Sequence, residues 1–399
     1  MASVIVVENE IKNSVIEYGQ IIDSVHQNSQ FSDSLKQYFD IRGNITNRNE
    51  VATKILDAST SETLSKLSDK EFEPAFYLLA YLLSELEAAS FERLLQKDSA
   101  LLKLLVESTP AQQPSLRDRR SLKPTTIMSI LNTFFNFLPP SSPSRIHLVE
   151  LILTIVKNTQ IDFALIQLSI GDNLVGWLNA AGASREETAR LFWLFVKLDS
   201  AYSEKSLQLI KKFTAQFTLS LEELHDLITF ALNSSVVDVS FLVNNNVAAA
   251  LHENSSDALA QTFIQYTQGN LVSAVPAPLP ESVAQKSKIL ALAKFFVSHP
   301  DKKLFSYGDI PSVLVSSPAA FEKLLIDSIK GGVIEGKLNQ VDESFYLVRV
   351  NRFILAGDEK LAQDWEAVRN ALLEWKSSLV NINEIVDNAK ENIVNNGAN

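Results

Sequence analysis

The residues that decide the fold of the carboxy-terminal part of this chain are 317–350, which read SPAAFEKLLIDSIKGGVIEGKLNQVDESFYLVRV. Ser317 stands before a proline, and an N-cap serine followed by proline at the first helical position predicts the start of a helix. The glycine pair at 331–332 predicts its end. Apolar and polar residues then alternate across 334–339, and a run rich in β-formers follows at 345–350, so a hairpin is expected after the helix.

The residues before this stretch extend the pattern. A helix is predicted to end at His299-Pro300, and a short extended piece is predicted at 305–307. A short helix is expected from Asp309 to about Val315. Helix, strand, helix, helix and hairpin is the order of a winged helix-turn-helix, and this domain is predicted over residues 285–355.

The longer amino-terminal part is predicted to be almost entirely helical. Only 12 glycines and 13 prolines occur in 399 residues, which nearly excludes an all-β fold with its frequent turns. Capping boxes begin at Ser184 and Ser220, each with Glu three positions later, and another amphipathic helix lies between them. A helix pair that recurs at this interval favours a solenoid like those of TPR or HEAT repeats.

The tail carries a single predicted helix from about Glu359 with an uninterrupted heptad pattern. Its apolar positions are spaced alternately by four and three residues, which is typical of a helix that packs against other helices. We expect this seam to contact partner proteins, although it could also fold back on the winged helix of its own chain. The seam consists of Leu361, Trp365, Val368, Leu372, Trp375, Leu379, Ile382 and Val386.

The predicted fold class is therefore mostly α, with a helical-repeat solenoid, a winged helix with a small β-hairpin or sheet, and a long carboxy-terminal helix. The predicted domains are an amino-terminal helical region at 1–122, the repeat part at 123–284, the winged helix at 285–355 and the heptad helix with its tail at 356–399.

The composition argues against most kinds of chemistry. Cysteine is absent, which removes disulfides, zinc ribbons and thiol nucleophiles. Phosphate-loop, dinucleotide, nucleophile-elbow and zinc-protease motifs are missing, and the five histidines are scattered. We therefore expect no enzyme activity, no cofactor, no metal and no small-molecule substrate. No apolar run is long enough to span a membrane and the first residues lack a signal pattern, so a cytoplasmic protein is expected.

Charge weighs against nucleic acid as a partner. The chain carries −11, which opposes nonspecific attraction to phosphates. Residues 285–355 alone carry +3, but the predicted recognition helix at 318–330 has no Arg, Asn or Gln to read bases. Sequence-specific DNA binding is therefore not expected. The basic loop at 117–123 is interpreted as a solvated loop, and a contact with RNA there is left open.

Residues 321–340 resemble the signature of the PCI family, whose subunits combine helical repeats with a winged helix in the proteasome lid, the signalosome and translation initiation factor three. Asn339 stands where the family often has Asp, and Phe321 where it often has Val. The resemblance implies a non-catalytic subunit whose winged helix packs side by side with others through sheet edges. The residues it implicates are Phe321, Glu322, Ile329, Gly332, Ile334, Gly336, Lys337, Leu338 and Gln340.

Two further segments indicate which PCI complex the chain resembles most. Trp177-Leu178 and the residues that follow, together with the tail at 365–379, are similar to a subunit of translation initiation factor three. The resemblance then implies other PCI and MPN subunits as partners, and the small ribosomal subunit as a partner of the whole complex. Subunit seven of the signalosome and a winged-helix nucleic-acid-binding regulator remain the alternatives.

Overall fold

A computed structural model describes residues 10–40, 44–88, 90–110, 123–159, 161–299, 302–351 and 361–396. The chain divides into two compact units, Met1–Ser200 and Ala201–Asn399. Of the boundaries predicted from the sequence, residues 122 and 355 lie outside the described residues, and 284 falls in the first turn of a helix. Those boundaries remain predictions.

The first unit is helical throughout its described part. Its helices are α1 (Ile11–His26), α2 (Gln30–Lys36), α3 (Arg48–Ala58), α4 (Ser61–Leu64), α5 (Asp69–Leu86), α6 (Phe91–Leu94), α7 (Ala100–Glu107), α8 (Pro124–Phe137), α9 (Ser144–Thr159), α10 (Phe163–Ile170), α11 (Leu174–Ala180) and α12 (Arg185–Lys197). Helix α5 packs on α8, α8 on α9, and α9 on α11 and α12. This succession of neighbouring helices agrees with the predicted repeat architecture.

Aromatic side chains build the core between α5 and α8. Phe76 and Phe134 are fully buried, with ring centroids 6.2 Å apart. Asp69 at the start of α5 accepts hydrogen bonds from the backbone N–H of Lys123 and the hydroxyl of Thr126 at the start of α8. The two helix beginnings are thereby held together, while the basic cluster at 117–122 lies outside the described residues.

The second unit continues with helices and then changes to a mixed structure. Its helices are α13 (Glu204–Gln216), α14 (Leu221–Asn233), α15 (Asn245–Glu253), α16 (Ala258–Thr267), α17 (Ser282–Val297), α18 (Pro318–Lys330) and α19 (Leu361–Asn396). The capping boxes predicted at Ser184 and Ser220 are both confirmed at the starts of α12 and α14. Helix α13 packs on α15, and α14 packs on α15 and α16.

The winged helix follows α17. Its strands are β1 (Leu304–Ser306), β2 (Ile334–Asn339) and β3 (Ser344–Val350), which form an antiparallel sheet in the order β1-β3-β2. Ser317 caps α18 by accepting from the backbone N–H of Ala320, and Pro318 occupies the first turn. Gly332 adopts a φ of +68° after the last turn, a backbone conformation that favours glycine. The predicted helix–hairpin arrangement is therefore confirmed.

The short helix predicted from Asp309 to about Val315 is wrong. The chain instead forms a 3₁₀ turn at Tyr307–Asp309, and residues 311–316 form turns and bends without a helix. Pro311 gives the physical reason, because the residue before a proline is driven to extended backbone. Ile310 has that conformation, with φ −82° and ψ 132°.

Four phenylalanines form the core of the winged helix. The ring of Phe296 on α17 lies 4.7 Å from that of Phe305 on β1 and 5.7 Å from that of Phe345 on β3. Phe321 on α18 meets the ring of Tyr307 edge to face at 5.1 Å. The helices and the sheet are thus joined around one apolar cluster. Among the described residues, no helix is long and apolar enough to cross a membrane.

Candidate interaction surfaces

The heptad seam of α19 is exposed to solvent. Trp365 and Trp375 expose 58% and 64% of their surface, and Val368 is half-buried. The side chain of Leu361 lies outside the described residues. The other seam positions are also exposed: Leu372, Leu379, Ile382 and Val386. The helix therefore presents a continuous apolar stripe that its own unit leaves uncovered.

Exposed apolar residues of α19 also occur outside the predicted seam. Leu373 and Val380 follow Leu372 and Leu379 directly, about 100° around the helix, with Arg369 and Lys376 between them and the seam, whereas Ile385 borders the seam on its other side. The predicted seam missed these residues, because a strict heptad pattern counts only two positions in seven. Their own sevenfold spacing, 373 to 380, was the available signal.

The opposite face of α19 is polar. It carries amide, hydroxyl and carboxylate side chains, all exposed, at Asn370, Glu374, Ser377, Asn381, Glu384 and Asn388. A helix divided in this way buries its apolar face against other elements and keeps the polar face in water.

Two residues of the winged-helix signature are brought together although 18 positions separate them. The Glu322 carboxylate on α18 accepts a hydrogen bond from Gln340 Nε2 at 2.7 Å, just beyond β2. Its other oxygen accepts from the Tyr307 hydroxyl at 2.8 Å. Tyr307 was not among the predicted site residues. One carboxylate therefore ties the turn after β1 and the end of β2 to the same helix.

Tyr307 is electrostatically perturbed by this arrangement. Partial burial, the hydrogen bond to Glu322 and the negative charges of Glu322 and Glu343 raise the pKa of Tyr307 to about 12. The phenol therefore remains a neutral donor over the physiological pH range, as the hydrogen bond to a carboxylate requires.

Gly336 is required by the packing of β2 against β3. A Cβ atom at this position would lie 2.1 Å from Cζ of Phe345, whose ring covers the strand. A register shift between Glu335 and Gly336 lies at the same place, and Glu335 forms an ion pair with Arg349 at 2.8 Å. The glycine therefore lets a core aromatic ring sit directly on the backbone.

The remaining signature residues do not form one surface. Phe321 and Ile334 are fully buried and belong to the core. Leu338 is half-buried, while Lys337 and Ile329 are exposed. Strand β2 lies at an edge of the sheet, with no neighbouring strand on its outer side among the described residues, and a sheet edge of this kind can pair with another strand.

Nothing in the described part of the chain forms a metal site, since no cluster of three or more His, Asp or Glu side chains could hold an ion there. The candidate surfaces are thus an apolar helix face and a strand edge. Both kinds of surface suit contacts with other proteins.

No protein-family model matches the chain. Curated relatives do match, among them three fungal proteins that share the name eukaryotic translation initiation factor 3 subunit M. The relative from Aspergillus terreus is 25% identical, and the alignment covers 98% of this chain and 89% of the relative. The relative from Emericella nidulans is 26% identical, and the alignment covers 88% of this chain and 79% of the relative. The relative from Coccidioides immitis is 25% identical, and the alignment covers 88% of this chain and 76% of the relative.

These matches extend far beyond the segments at 177–194 and 365–379 that carried the likeness to a subunit of factor three, and they confirm it. Over almost its entire length, the chain is therefore similar to proteins named eukaryotic translation initiation factor 3 subunit M.

Proposed function

We propose that the chain is a non-catalytic scaffold subunit of the eukaryotic translation initiation factor 3 complex. The exposed apolar face of α19 is the observation that carries this proposal. In the complex, this face packs against carboxy-terminal helices of other subunits, and the winged helix aligns with the winged helices of other PCI subunits. PCI and MPN subunits are its proposed partners.

The energetics of α19 favour a partner. Burying a large apolar side chain contributes roughly 1.5–3 kcal/mol, and this helix exposes two tryptophans and a row of aliphatic residues. Because exposed apolar residues also lie outside the two-stranded seam, we propose that α19 contacts more than one neighbouring helix. A bundle of helices from several subunits provides that environment.

The outer edge of β2 is the second proposed contact. An unpaired strand edge offers backbone donors and acceptors that a neighbouring strand can satisfy. The register shift at Glu335/Gly336 and the exposed Lys337 limit this edge to a short pairing segment. Such an edge suits side-by-side packing of winged helices within one assembly.

The names of the relatives support the initiation factor rather than the signalosome. The proteins from Aspergillus terreus, Emericella nidulans and Coccidioides immitis are each named as a subunit of initiation factor 3. Within this proposal the assembled complex binds the small ribosomal subunit and supports recruitment of mRNA, and the chain works in the cytoplasm. Binding to the ribosome belongs to the complex rather than to a nucleic-acid site on this chain.

A winged-helix regulator that binds nucleic acid is the competing function. The net charge of +3 on residues 285–355 favours it, whereas the exposed charges of α18, including Lys323 and Asp327, largely cancel. Its signature would be binding with a steep salt dependence that is lost when Lys302, Lys303 and Lys337 are replaced.

The scaffold role is tested by placing charges on the apolar face of α19. We expect Trp365→Glu combined with Trp375→Glu to release the chain from the complex, because carboxylates would have to be buried among apolar side chains. The measurement is the amount of tagged chain that co-purifies with other initiation factor 3 subunits, together with the Tm of the isolated chain.

The matched control puts the same charges on the polar face. Asn370→Glu with Ser377→Glu lies on the same helix at exposed positions and should leave co-purification and Tm unchanged. If the tryptophan variant still enters the complex at the normal yield, α19 is not the docking element and the proposal is wrong.

A further inference from the structure

A cleft of about 350 Å³ lies on the winged helix, between α17, α18 and the irregular segment that joins β1 to α18. The segment at 312–316 forms one wall of this cleft. Gln285 and Lys288 on α17 form the second wall, and one face of α18 forms the third. The volume is at the lower end of the range of ligand-binding pockets, roughly 300–1,000 Å³.

The apolar part of the cleft is continuous with the core. Leu314 and Leu324 are nearly buried at its base, and Ala320 and Val315 are half-buried beside them. Val313 stands at the rim with 74% of its surface exposed. An exposed valine beside an apolar floor provides a place where one or two apolar side chains of a partner could be buried.

Two lysines flank this apolar floor. Lys288 approaches from α17 and is half-buried, and Lys323 approaches from α18 and is exposed. Over the part of the chain that the structure describes, neither ammonium group lies in an ion pair. Asp327 is the one acidic residue of the lining, so the cleft carries a net charge of +1 within a chain whose total is −11.

The combination of an apolar floor and flanking positive charges defines the occupant. We infer that this cleft is a docking site for a short segment of a partner protein that carries an apolar side chain next to two or more carboxylates. The apolar side chain is buried over Leu314 and Leu324, and the carboxylates pair with Lys288 and Lys323. A simple anion would leave the apolar floor empty, and a basic segment would be repelled by both lysines.

The cleft adds to the surfaces that define the proposed function, because its lining includes no residue of α19 or β2. The docking inference rests on the proposed function in one respect, because the partner segment binds the cleft within the assembled complex. The acidic segment belongs to another protein, so both surfaces can be tested in the same preparation.

The test places a photocrosslinking residue at the rim of the cleft in the full chain. Val313→p-benzoylphenylalanine is expressed in cells of the source organism, the complex is irradiated and purified, and the crosslinked peptide is sequenced by mass spectrometry. The control site is Val341 in the hairpin turn, which is 92% exposed and lies outside the cleft.

We expect one dominant crosslinked peptide at position 313, with two or more Asp or Glu residues within a few positions of the attachment, and a different or no product at position 341. Lys288→Glu with Lys323→Glu should lower the yield by about tenfold or more, since charge-assisted contacts become repulsive. Lys330→Glu, at an exposed position of the same helix outside the cleft, should not lower it.

Three results would overturn the inference: a crosslinked peptide without acidic residues, a yield that the double lysine replacement leaves unchanged, or no peptide product specific to position 313. A crosslink to a small molecule would count as the third result, because it is not a peptide product. Entry of the chain into the complex is measured in the same samples, so failure to assemble refutes the proposed function, whereas assembly without an acidic crosslink refutes the docking inference alone.

Discussion

The packed winged helix has no room for a side chain at position 336. The Phe345 ring covers the backbone of β2 so closely that a methyl group at position 336 would lie 2.1 Å from it. We predict that Gly336→Ala lowers the free energy of unfolding of this unit by about 1–3 kcal/mol, because the ring or the strand must shift. Thermal unfolding measures this as a lower Tm.

The control for this prediction is Gly308→Ala. A Cβ atom there would meet nothing within 4 Å, so the change should alter the free energy of unfolding by less than about 0.5 kcal/mol. Equal destabilisation by the two variants would mean that contact with Phe345 does not govern position 336.

The raised pKa of Tyr307 predicts that the free energy of unfolding depends on pH in the alkaline range. Its pKa is raised from 10.0 to about 12 in the folded chain, so the folded state holds the phenolic proton more tightly than the unfolded state does. The stability that this group contributes is complete below about pH 10 and is lost as pH rises towards 12. Denaturant unfolding across this interval should show a loss that Tyr307→Phe reduces.

Glu322→Gln provides the second arm of that experiment. Removing the negative charge lowers the pKa of Tyr307 towards its usual value, so the pH-dependent loss should become smaller. Spectroscopic titration of the phenols, compared with the Tyr307→Phe variant, identifies the group concerned. An unchanged titration in Glu322→Gln would show that burial and the charge of Glu343, rather than Glu322, raise this pKa.

The sequence could predict these residues as members of a signature, but it could not predict their roles. Glu322 and Gln340 are 18 positions apart, and their hydrogen bond depends on where the hairpin meets α18. The requirement for Gly336 likewise depends on the Phe345 ring of the partner strand. Contacts of this kind arise from tertiary packing, which local spacing does not encode.

At the scale of single elements, helix α12 offers a direct test of local stabilisation. Ser184 accepts from the backbone N–H of Glu187 at 3.1 Å, and the Glu187 side chain accepts from the backbone N–H of Ser184 at 3.0 Å. We predict that Ser184→Ala costs about 1 kcal/mol in free energy of unfolding. Ser184→Asp retains an acceptor and should cost much less, and equal losses would contradict the capping role.

Elements with strong local signals were predictable from the sequence. The caps of α12, α14 and α18, the hairpin and the tail helix all follow from spacing and from Ser, Pro and Gly positions. The segment at 309–315 was mispredicted, although Pro311 is a local signal against a helix that includes Ile310. Pro311 and the packing around Leu314 decide for the turn, and that turn forms one wall of the cleft.

At the scale of the whole molecule, charge and apolar surface are unevenly distributed. Residues 285–355 carry +3 in a chain of −11, and a long apolar stripe is concentrated on one closing helix. Exposed apolar stripes of this size are typical of surfaces that contact other proteins. The proposed scaffold role unites these features with the similarity to initiation factor 3 subunit M over nearly the entire chain.

The most direct test of the scaffold role is the state of the chain in its native source. The scaffold role predicts that the tagged chain, purified gently and characterised by size and mass spectrometry, elutes in a large assembly with other subunits of initiation factor 3. Recovery only as a free chain of 44.3 kDa, or in an assembly without initiation factor subunits, would contradict it.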